Sequence, residues 1–349
     1  MRIYQMDPTK DLRWAELVER HPRASVFHTV AWLRAIRRTY GYEPVVFTTS
    51  PPTGDLNNGL VFCRINSWLT GHRLVSLPFS DHCALLCDSS EDMNFLIRYL
   101  QTTLEHQKSK YLEIRPLNGN FGRIGNGIGF QPAATYFLHT LDLRPDLDDV
   151  FRSLHKDSVQ RRIQRAQRAG LVEKCGRSED LLKDFYALFV ITRARHHVPP
   201  TPYAWFLNLI RSQDLALEIR VAYKDRSPIA AILTLRFRDV VYYKYGCSDP
   251  RFNKFGATPM LLWRAIEAGK SNGANELDLG RTEEDTAGLL VFKNHWVRQS
   301  KRLVYWNFPG TPTLDSARGW KLKIAKRVFS CMPDKLLAVT GRLLYRHIG

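Results

Sequence analysis

The stretch that decides the fold reads VVYYKYG at 240–246, ELDLGR at 276–281 and GLLVFKNHW at 288–296, with a helical pattern from about Thr258 to Lys270 between the first two runs. β-Branched, aromatic and aliphatic residues dominate those first two runs, which is typical of strands. Strand, glycine-containing turn, helix and strand form a βαβ unit. Open α/β sheets bind their ligands at the carboxyl ends of such strands, so we expect the functional site there.

Composition limits the classes of protein to which this chain can belong. Its 349 residues allow two domains, and an apolar fraction of 44% argues against disorder. The net charge of +17 suggests an anionic partner, although a basic protein without one stays an alternative. The six cysteines form no regular framework, so we interpret them as reduced thiols and predict no metal site. No window approaches the ~20 apolar residues of a membrane span. A cytoplasmic protein is predicted, with contact to the inner membrane face as an alternative.

The order of predicted elements repeats along the chain. Helices, a hairpin, a strand, a helix and a strand occur in the first half and again in the second, so we predict a tandem α/β (α+β) fold with mixed sheets flanked by helices. The predicted boundaries are 1–143, 144–310 and a tail at 311–349. The tail has eight Lys or Arg against two Asp and an amphipathic helical pattern. Such basic amphipathic helices either lie on an anionic membrane or pack against the protein body.

An arginine ladder marks the start of the second half. A single helix is predicted from about Asp148 to Ala169, with Arg161, Arg165 and Arg168 along one face. The planar guanidinium group binds phosphate oxygens in pairs, so the face could meet an anionic substrate. A solvated basic face is the alternative, and both interpretations stay open.

Several short motifs occur in one order along residues 25–306. They are Phe27-His28-Thr29-x-x-Trp32, Leu77-Pro78-Phe79, the segment Ser153 to Gly170, Gly246-x-Ser248-Asp249, Leu261-Leu262-Trp263-x-Ala265-Ile266, Leu277-Asp278-Leu279-Gly280-Arg281-Thr282 and Gly288-x-x-x-Phe292-Lys293-x-x-Trp296. In this order the motifs resemble those of the FemAB-type aminoacyltransferases. The segment Ser76 to Asp81 departs from the peptidoglycan enzymes and looks more like a related acetyltransferase branch that occurs near polysaccharide-export genes.

The resemblance implies two GNAT-like acyltransferase domains in tandem and transfer of an acyl or aminoacyl group. The acceptor would be an amine or hydroxyl of a cell-envelope, peptidoglycan or exopolysaccharide precursor. No tightly bound cofactor is implied. The acyl donor would be a co-substrate: aminoacyl-tRNA, an acyl carrier protein or acyl-CoA. The implied partners are therefore anionic: tRNA, a phosphopantetheine carrier, or a nucleotide- or lipid-linked saccharide.

Three polar residues of the opening stretch are the predicted catalytic group. Lys293 matches the Lys of the family's Phe-Lys pair, which implies a role in stabilising the developing oxyanion or the terminal phosphate of the donor. The alternative is a surface lysine at a strand end. Asp278 points away from Leu277 and Leu279 if the strand alternates regularly. It would act as a base or orient Arg281, and a structural Asp–Arg pair stays open.

The predicted binding residues surround this group. Tyr243 and Tyr245 should share one strand face and line the acceptor site, and core packing is the alternative. Of the usual pyrophosphate turn of coenzyme A enzymes, only Gly256 and Ala257 remain, so they are the predicted cofactor contacts. The predicted substrate contacts are Phe292, Tyr243, Tyr245, Trp32, Asp81, Arg161 and Arg165. The alternative function is a catalytically inactive GNAT-like module that binds nucleic acid or an anionic membrane.

Overall fold

The computed structural model of the chain describes residues 1–106, 109–117, 121–310, 341 and 344–347, without the side chains of 123, 124 and 126. The predicted amphipathic tail therefore lies almost entirely outside the described residues. These residues divide into two compact units, one with 1–136, 302–310 and 344–347, the other with 137–301 and 341. The predicted domain boundaries stay a prediction. Among the described helices, none is long and apolar enough to cross a lipid bilayer.

The described residues of the first unit form a mixed sheet and several helices. Its strands run in the order β1-β2-β3-β4-β5-β12, with a parallel pair at β4–β5 and antiparallel pairs elsewhere. The elements are β1 (Tyr4–Met6), α1 (Leu12–Arg20), α2 (Val30–Tyr40), β2 (Glu43–Thr48), β3 (Leu60–Ser67), β4 (Gly71–Val75), α3 (Ser90–His106), β5 (Tyr111–Ile114), α4 (Phe121–Gly127) and β12 (Ser300–Phe308).

Local sequence signals explain the ends of α2. The Thr29 hydroxyl accepts a hydrogen bond from Trp32 N at the start of the helix, and Gly41 ends it with a left-handed φ of 73°. Phe62, Leu96 and Leu112 belong to the apolar core between the sheet and α3. Residues 121–127 form helix α4 although three of the seven are glycine.

The second unit contains the βαβ stretch. Its strands run in the order β6-β11-β10-β9-β8-β7, where β6 belongs to this unit from residue 137 onward, and β10 and β11 are parallel. The elements are β6 (Gln131–Asp142), α5 (Leu147–Ser153), a π-helical turn (Lys156–Gln160), α6 (Arg161–Arg168), β7 (Val172–Gly176), α7 (Glu179–Arg195), α8 (Tyr203–Ile210), β8 (Ala216–Lys224), β9 (Ser227–Phe237), β10 (Val240–Ser248), a 3₁₀ helix (Pro250–Phe255), α9 (Ala257–Ser271), β11 (Glu276–Glu283) and α10 (Ala287–Asn294).

Two features of this unit correct the predicted elements. The helix predicted from 148 to 169 is divided into α5, the π-helical turn and α6. Lys293, considered above as a strand-end lysine, lies on helix α10. The predicted helix and the two predicted strands are confirmed as α9, β10 and β11. Leu262, Ile266 and Leu277 on these elements belong to one apolar core. The fold class, helices around mixed sheets, is also confirmed.

Candidate active site

Strands β10 and β11 separate soon after they begin. Their parallel register covers only three residue pairs and ends at Tyr242–Asp278, although β10 continues to Ser248 and β11 to Glu283. On its other edge β10 stays paired with β9 up to Ser248. The sheet therefore opens at the carboxyl ends of two parallel strands, which is where open α/β sheets bind ligands.

A β-bulge in β10 decides which tyrosine faces this opening. The register with β9 shifts between Tyr243 and Tyr245, so that Lys244 is an extra residue of β10. Tyr243 lies over Gly246, where a Cβ atom would overlap the Tyr243 hydroxyl. The Tyr245 hydroxyl instead accepts a hydrogen bond from Trp205 Nε1 at 2.9 Å. The prediction that Tyr243 and Tyr245 share one face is wrong, because the bulge interrupts the strand's alternation.

A cavity of about 410 Å³ lies at the opening, wholly within the second unit. This volume is within the ~300–1,000 Å³ of ordinary small-molecule sites. Its walls come from β10, the start of α9, α10, the end of α7 and the segment that leads into α6. The lining includes Ser158, Arg162, Thr192, Arg195, Tyr243, Gly246, Cys247, Ser248, Gly256, Ala257, Thr258, Phe292 and His295.

Gly256 brings the start of α9 against α6. Its φ of 76° is left-handed, and a Cβ atom there would overlap the carbonyl oxygen of Arg162, so the position requires glycine. Ala257 and Thr258 are the first two residues of α9, and the hydrogen bond from Met260 N to Gly256 O closes its first turn. The N–H groups of Ala257 and Thr258 therefore lie in that first turn. First-turn N–H groups of this kind bind anions. The structure therefore brings both predicted cofactor contacts, Gly256 and Ala257, to the cavity wall.

Two arginines that the sequence analysis did not select line the cavity. They are Arg162 on α6 and Arg195 at the end of α7. The predicted Arg161 and Arg165 are not part of the described lining. Arg161 pairs with Asp157 at 2.5 Å on the surface, and Arg165 donates to a backbone carbonyl oxygen of the 3₁₀ helix. The π-helical turn before α6 contains one more residue than a turn of α-helix, and this extra residue changes which arginine faces inward. A regular helical pattern gives no signal of this change.

The predicted catalytic residues gather around Gly280 rather than around the cavity. Lys293 is 3% exposed, and its Nζ donates to the carbonyl oxygens of Gly280 at 2.8 Å and Arg281 at 2.9 Å. The carboxylate of Asp278, which is 4% exposed, accepts from Gly280 N at 2.6 Å. Gly280 has a left-handed φ of 73°. These contacts stabilise the irregular backbone of β11 at Gly280. Lys293, Asp278 and Arg281 are not in the described cavity lining.

The neighbours of Lys293 on α10 do reach the cavity. Phe292, a predicted substrate contact, packs obliquely against Tyr243 with ring centroids 6.5 Å apart. His295 follows the last residue of α10, and its ring lies 4.4 Å from the ring of His155. Burial lowers the pKa of His295, and the electrostatic interactions with His155 and Arg162 lower it further. The sequence analysis missed His295, although its place two residues after Lys293 was a usable signal.

The other predicted substrate contacts belong to the first unit. Trp32 is fully buried in the core and packs edge-on against Phe27, with centroids 5.2 Å apart. Asp81 is partly buried, and its carbonyl oxygen accepts from the Tyr305 hydroxyl at 2.7 Å. Their substrate roles stay predictions. Within the part of the chain that the structure describes, no three His, Cys, Asp or Glu side chains converge as metal ligands do.

Comparison with known proteins agrees with this geometry. Residues 153–293 match the acetyltransferase (GNAT) domain, and no curated protein matches the chain. A crystal structure of FemX is similar over 88% of this chain and 97% of that chain, at 13% identity and a TM-score of 0.69. L-PGS from Bacillus licheniformis is similar over 86% and 93%, at 11% identity and a TM-score of 0.53. A tandem GNAT protein from the clavulanic acid biosynthesis pathway is similar over 89% and 99%, at 11% identity and a TM-score of 0.56.

These findings confirm the predicted family resemblance and the class of enzyme. The chain carries a GNAT acetyltransferase domain at 153–293, and its fold is that of FemX and the tandem GNAT protein. The cavity lies within the matched domain, apart from His295, which follows it by two residues. The chain is an acyltransferase.

Proposed function

We propose that the chain transfers an acyl or aminoacyl group from an activated carrier to an amine or hydroxyl of a cell-envelope, peptidoglycan or exopolysaccharide precursor. The observation that carries the proposal is the cavity of about 410 Å³ at the point where β10 leaves β11. An acyl group held there would lie beside the exposed backbone at the end of a strand, with phosphate-binding groups at one side.

The polar part of the cavity suits a phosphorylated carrier. Arg162 and Arg195 supply two guanidinium groups, and the first turn of α9 supplies the N–H groups of Ala257 and Thr258. Guanidinium groups and helix N-termini both bind phosphate oxygens. Coenzyme A, a phosphopantetheine carrier protein and aminoacyl-tRNA share this chemistry, because each carries both phosphate and an activated acyl group.

The apolar part of the cavity suits the acyl group and its linker. Phe292 and Tyr243 form one wall, and Gly246 leaves room beside the strand. A wall of this kind excludes water, which would otherwise hydrolyse an activated ester or thioester. For the acceptor, the net charge of +17 favours an anionic saccharide precursor. We also propose a cytoplasmic location, which cell fractionation would check.

A donor-binding experiment tests the proposal. Purified protein is titrated with acetyl-coenzyme A, an acetylated phosphopantetheine carrier protein and alanyl-tRNA, and binding is measured by calorimetry. We expect at least one donor to bind, and Arg162→Gln to weaken it about 10-fold or more, because a charged hydrogen bond contributes ~1.5–3 kcal/mol. Arg168→Gln is the matched control, since Arg168 is an exposed arginine on the same helix.

Two results would contradict the proposal. The first is a wild-type protein that binds none of the three donors. The second is an equal loss of affinity in Arg162→Gln and Arg168→Gln, which would show that only the overall positive charge matters. Transfer itself is then followed with the donor that binds and with glucosamine, which offers both an amine and hydroxyls, by mass spectrometry of the product.

A further inference from the structure

The titratable groups that line the cavity are unusual in their composition. They are Arg162, Arg195, Tyr243, Cys247 and His295, and the described lining includes no Asp or Glu. Acyl transfer requires a group that accepts a proton from the attacking hydroxyl or amine. The candidate proton acceptors at the cavity are therefore these five side chains and any bound water molecule.

Four of the five cannot accept a proton near neutral pH. The guanidinium groups of Arg162 and Arg195 stay protonated and have no acceptor atom. Burial raises the pKa of Tyr243 far above its ordinary value, so its hydroxyl keeps its proton. Burial also raises the pKa of Cys247, and its thiol donates to backbone carbonyl oxygens at 3.5 Å. His295 is left.

The surroundings of His295 keep its ring neutral and held in place. The backbone carbonyl oxygen of His295 accepts from His155 N at 3.0 Å, and the two rings are in contact. His155 Nδ1 accepts a hydrogen bond from Ser158 N at 3.2 Å, which fixes the orientation of that ring. The titratable groups facing His295 are His155 and the guanidinium of Arg162, and the interaction with each lowers the pKa of His295. A neutral imidazole in this place is able to accept a proton.

We infer that His295 is the general base of the acyl transfer, with His155 as the residue that positions its ring. The inference rests on the proposed function. The imidazole takes the proton of the acceptor's hydroxyl or neutral amine while the oxygen or nitrogen attacks the acyl carbonyl carbon. The new C–O or C–N bond forms, and the bond from that carbon to the carrier's sulfur or oxygen breaks. The leaving atom keeps the electron pair and takes the proton from the imidazolium, so that His295 ends the cycle neutral.

The first measurement is turnover across pH with the donor that binds and glucosamine. We expect His295→Gln to lower kcat about 10²–10⁴-fold, the usual contribution of a general base, with little change in the KM for the donor. The wild-type rate of transfer to the hydroxyls of glucosamine should fall at acid pH as His295 becomes protonated, and the variant should lack this limb. Imidazole added to His295→Ala should restore part of the rate. His106→Gln, an exposed histidine of the first unit, is the control and should keep the wild-type profile.

A second measurement does not depend on turnover. NMR titration of the histidine rings, assigned with His295→Gln, should show His295 losing its proton below the ordinary pKa of 6.5. A titration at or above that pKa contradicts the inference whatever the rate. A folded His295→Gln protein with wild-type kcat and an unchanged acid limb also contradicts it. Absence of binding to every donor is a different result, because it contradicts the proposed function instead.

Discussion

Helix α10 presents two sides with opposite properties. On one side Phe292 and His295 face the cavity, with room for a ligand. On the other side Lys293 is buried, and its ammonium group is held by the carbonyl oxygens of Gly280 and Arg281. Phe292 and Lys293 are adjacent in the sequence, yet one faces the cavity and the other contacts the backbone of β11.

The two sides of α10 differ in the contacts that their polar groups, Lys293 and His295, make within the protein. A buried ammonium group must be hydrogen-bonded, because an unpaired buried charge costs several kcal/mol. The contacts of Lys293 meet that need within the protein. His295 is partly exposed at a cavity, and its neighbours disfavour its charged form. Perturbed groups in clefts are candidates for chemistry, whereas a buried cation on backbone carbonyls is foremost a structural contact.

The largest expected effect tests the cavity side. Gly256→Ala should lower the free energy of unfolding by about 4 kcal/mol, the sum of a left-handed backbone penalty and an overlap with the Arg162 carbonyl oxygen. Gly170→Ala is the matched control, because Gly170 has a left-handed φ of 64° but no atom near the added Cβ. That control should lose only about 1 kcal/mol. Urea denaturation measures both.

The same pair of variants reports on the cavity. Gly256→Ala should also weaken donor binding, since α6 and the start of α9 must move apart. Gly170→Ala should bind the donor as the wild type does. If the two variants lost the same stability, close contact between α9 and α6 would not be what holds this wall of the cavity.

The next effect tests the buried side of α10. Lys293→Met should lower the free energy of unfolding by about 2–3 kcal/mol, because two buried carbonyl oxygens lose a charged donor. Lys183→Met is the control: Lys183 is exposed and pairs with Asp180 on the surface, and its removal should leave the unfolding transition unchanged. A Lys293→Met protein with wild-type stability but no turnover would instead support the catalytic role that the sequence predicts.

The smallest effect is the contribution of His295 to the dependence of stability on pH. Its folded pKa is lowered, so below 6.5 the unfolded chain binds more protons than the folded one. Stability from this group is therefore present at neutral pH and is lost as the pH falls from 6.5 through the lowered folded pKa. His295→Gln should lose less stability than the wild type between about pH 7 and about pH 5, measured by urea denaturation at each pH. If the wild type and His295→Gln lost the same stability, burial and nearby charge would not be what lowers the pKa of His295.

Much of the fold could be predicted because local and long-range preferences agree. The runs that became β10, α9 and β11 have strand and helix patterns that match their places in the core. The helix predicted over 148–169 was less accurate. Its arginine spacing looks regular, but the contact of His155 with α10 and the π-helical turn interrupt it.

The candidate site was predicted only in part. Tyr243, Phe292, Gly256 and Ala257 do line the cavity. Other lining residues lie one to three positions from the residues chosen: Arg162 rather than Arg161 or Arg165, and His295 near Lys293. Each of these differences follows from a bulge, a π-helical turn or the rotation of a short helix, none of which leaves a mark in residue periodicity.

The sequence alone determined the class of fold, the tandem repetition of its elements and the stretch that contains the site, because these depend on hydrophobic periodicity and on motifs that are continuous along the chain. Only the tertiary structure decided which side chains share the cavity. That choice depends on where β10 leaves β11, on the bulge at Lys244 and on the side of α10 that meets Gly280. The direction in which each side chain points depends on contacts between segments that are distant in the sequence. A shift of one residue is enough to replace a buried contact with a group that faces the cavity.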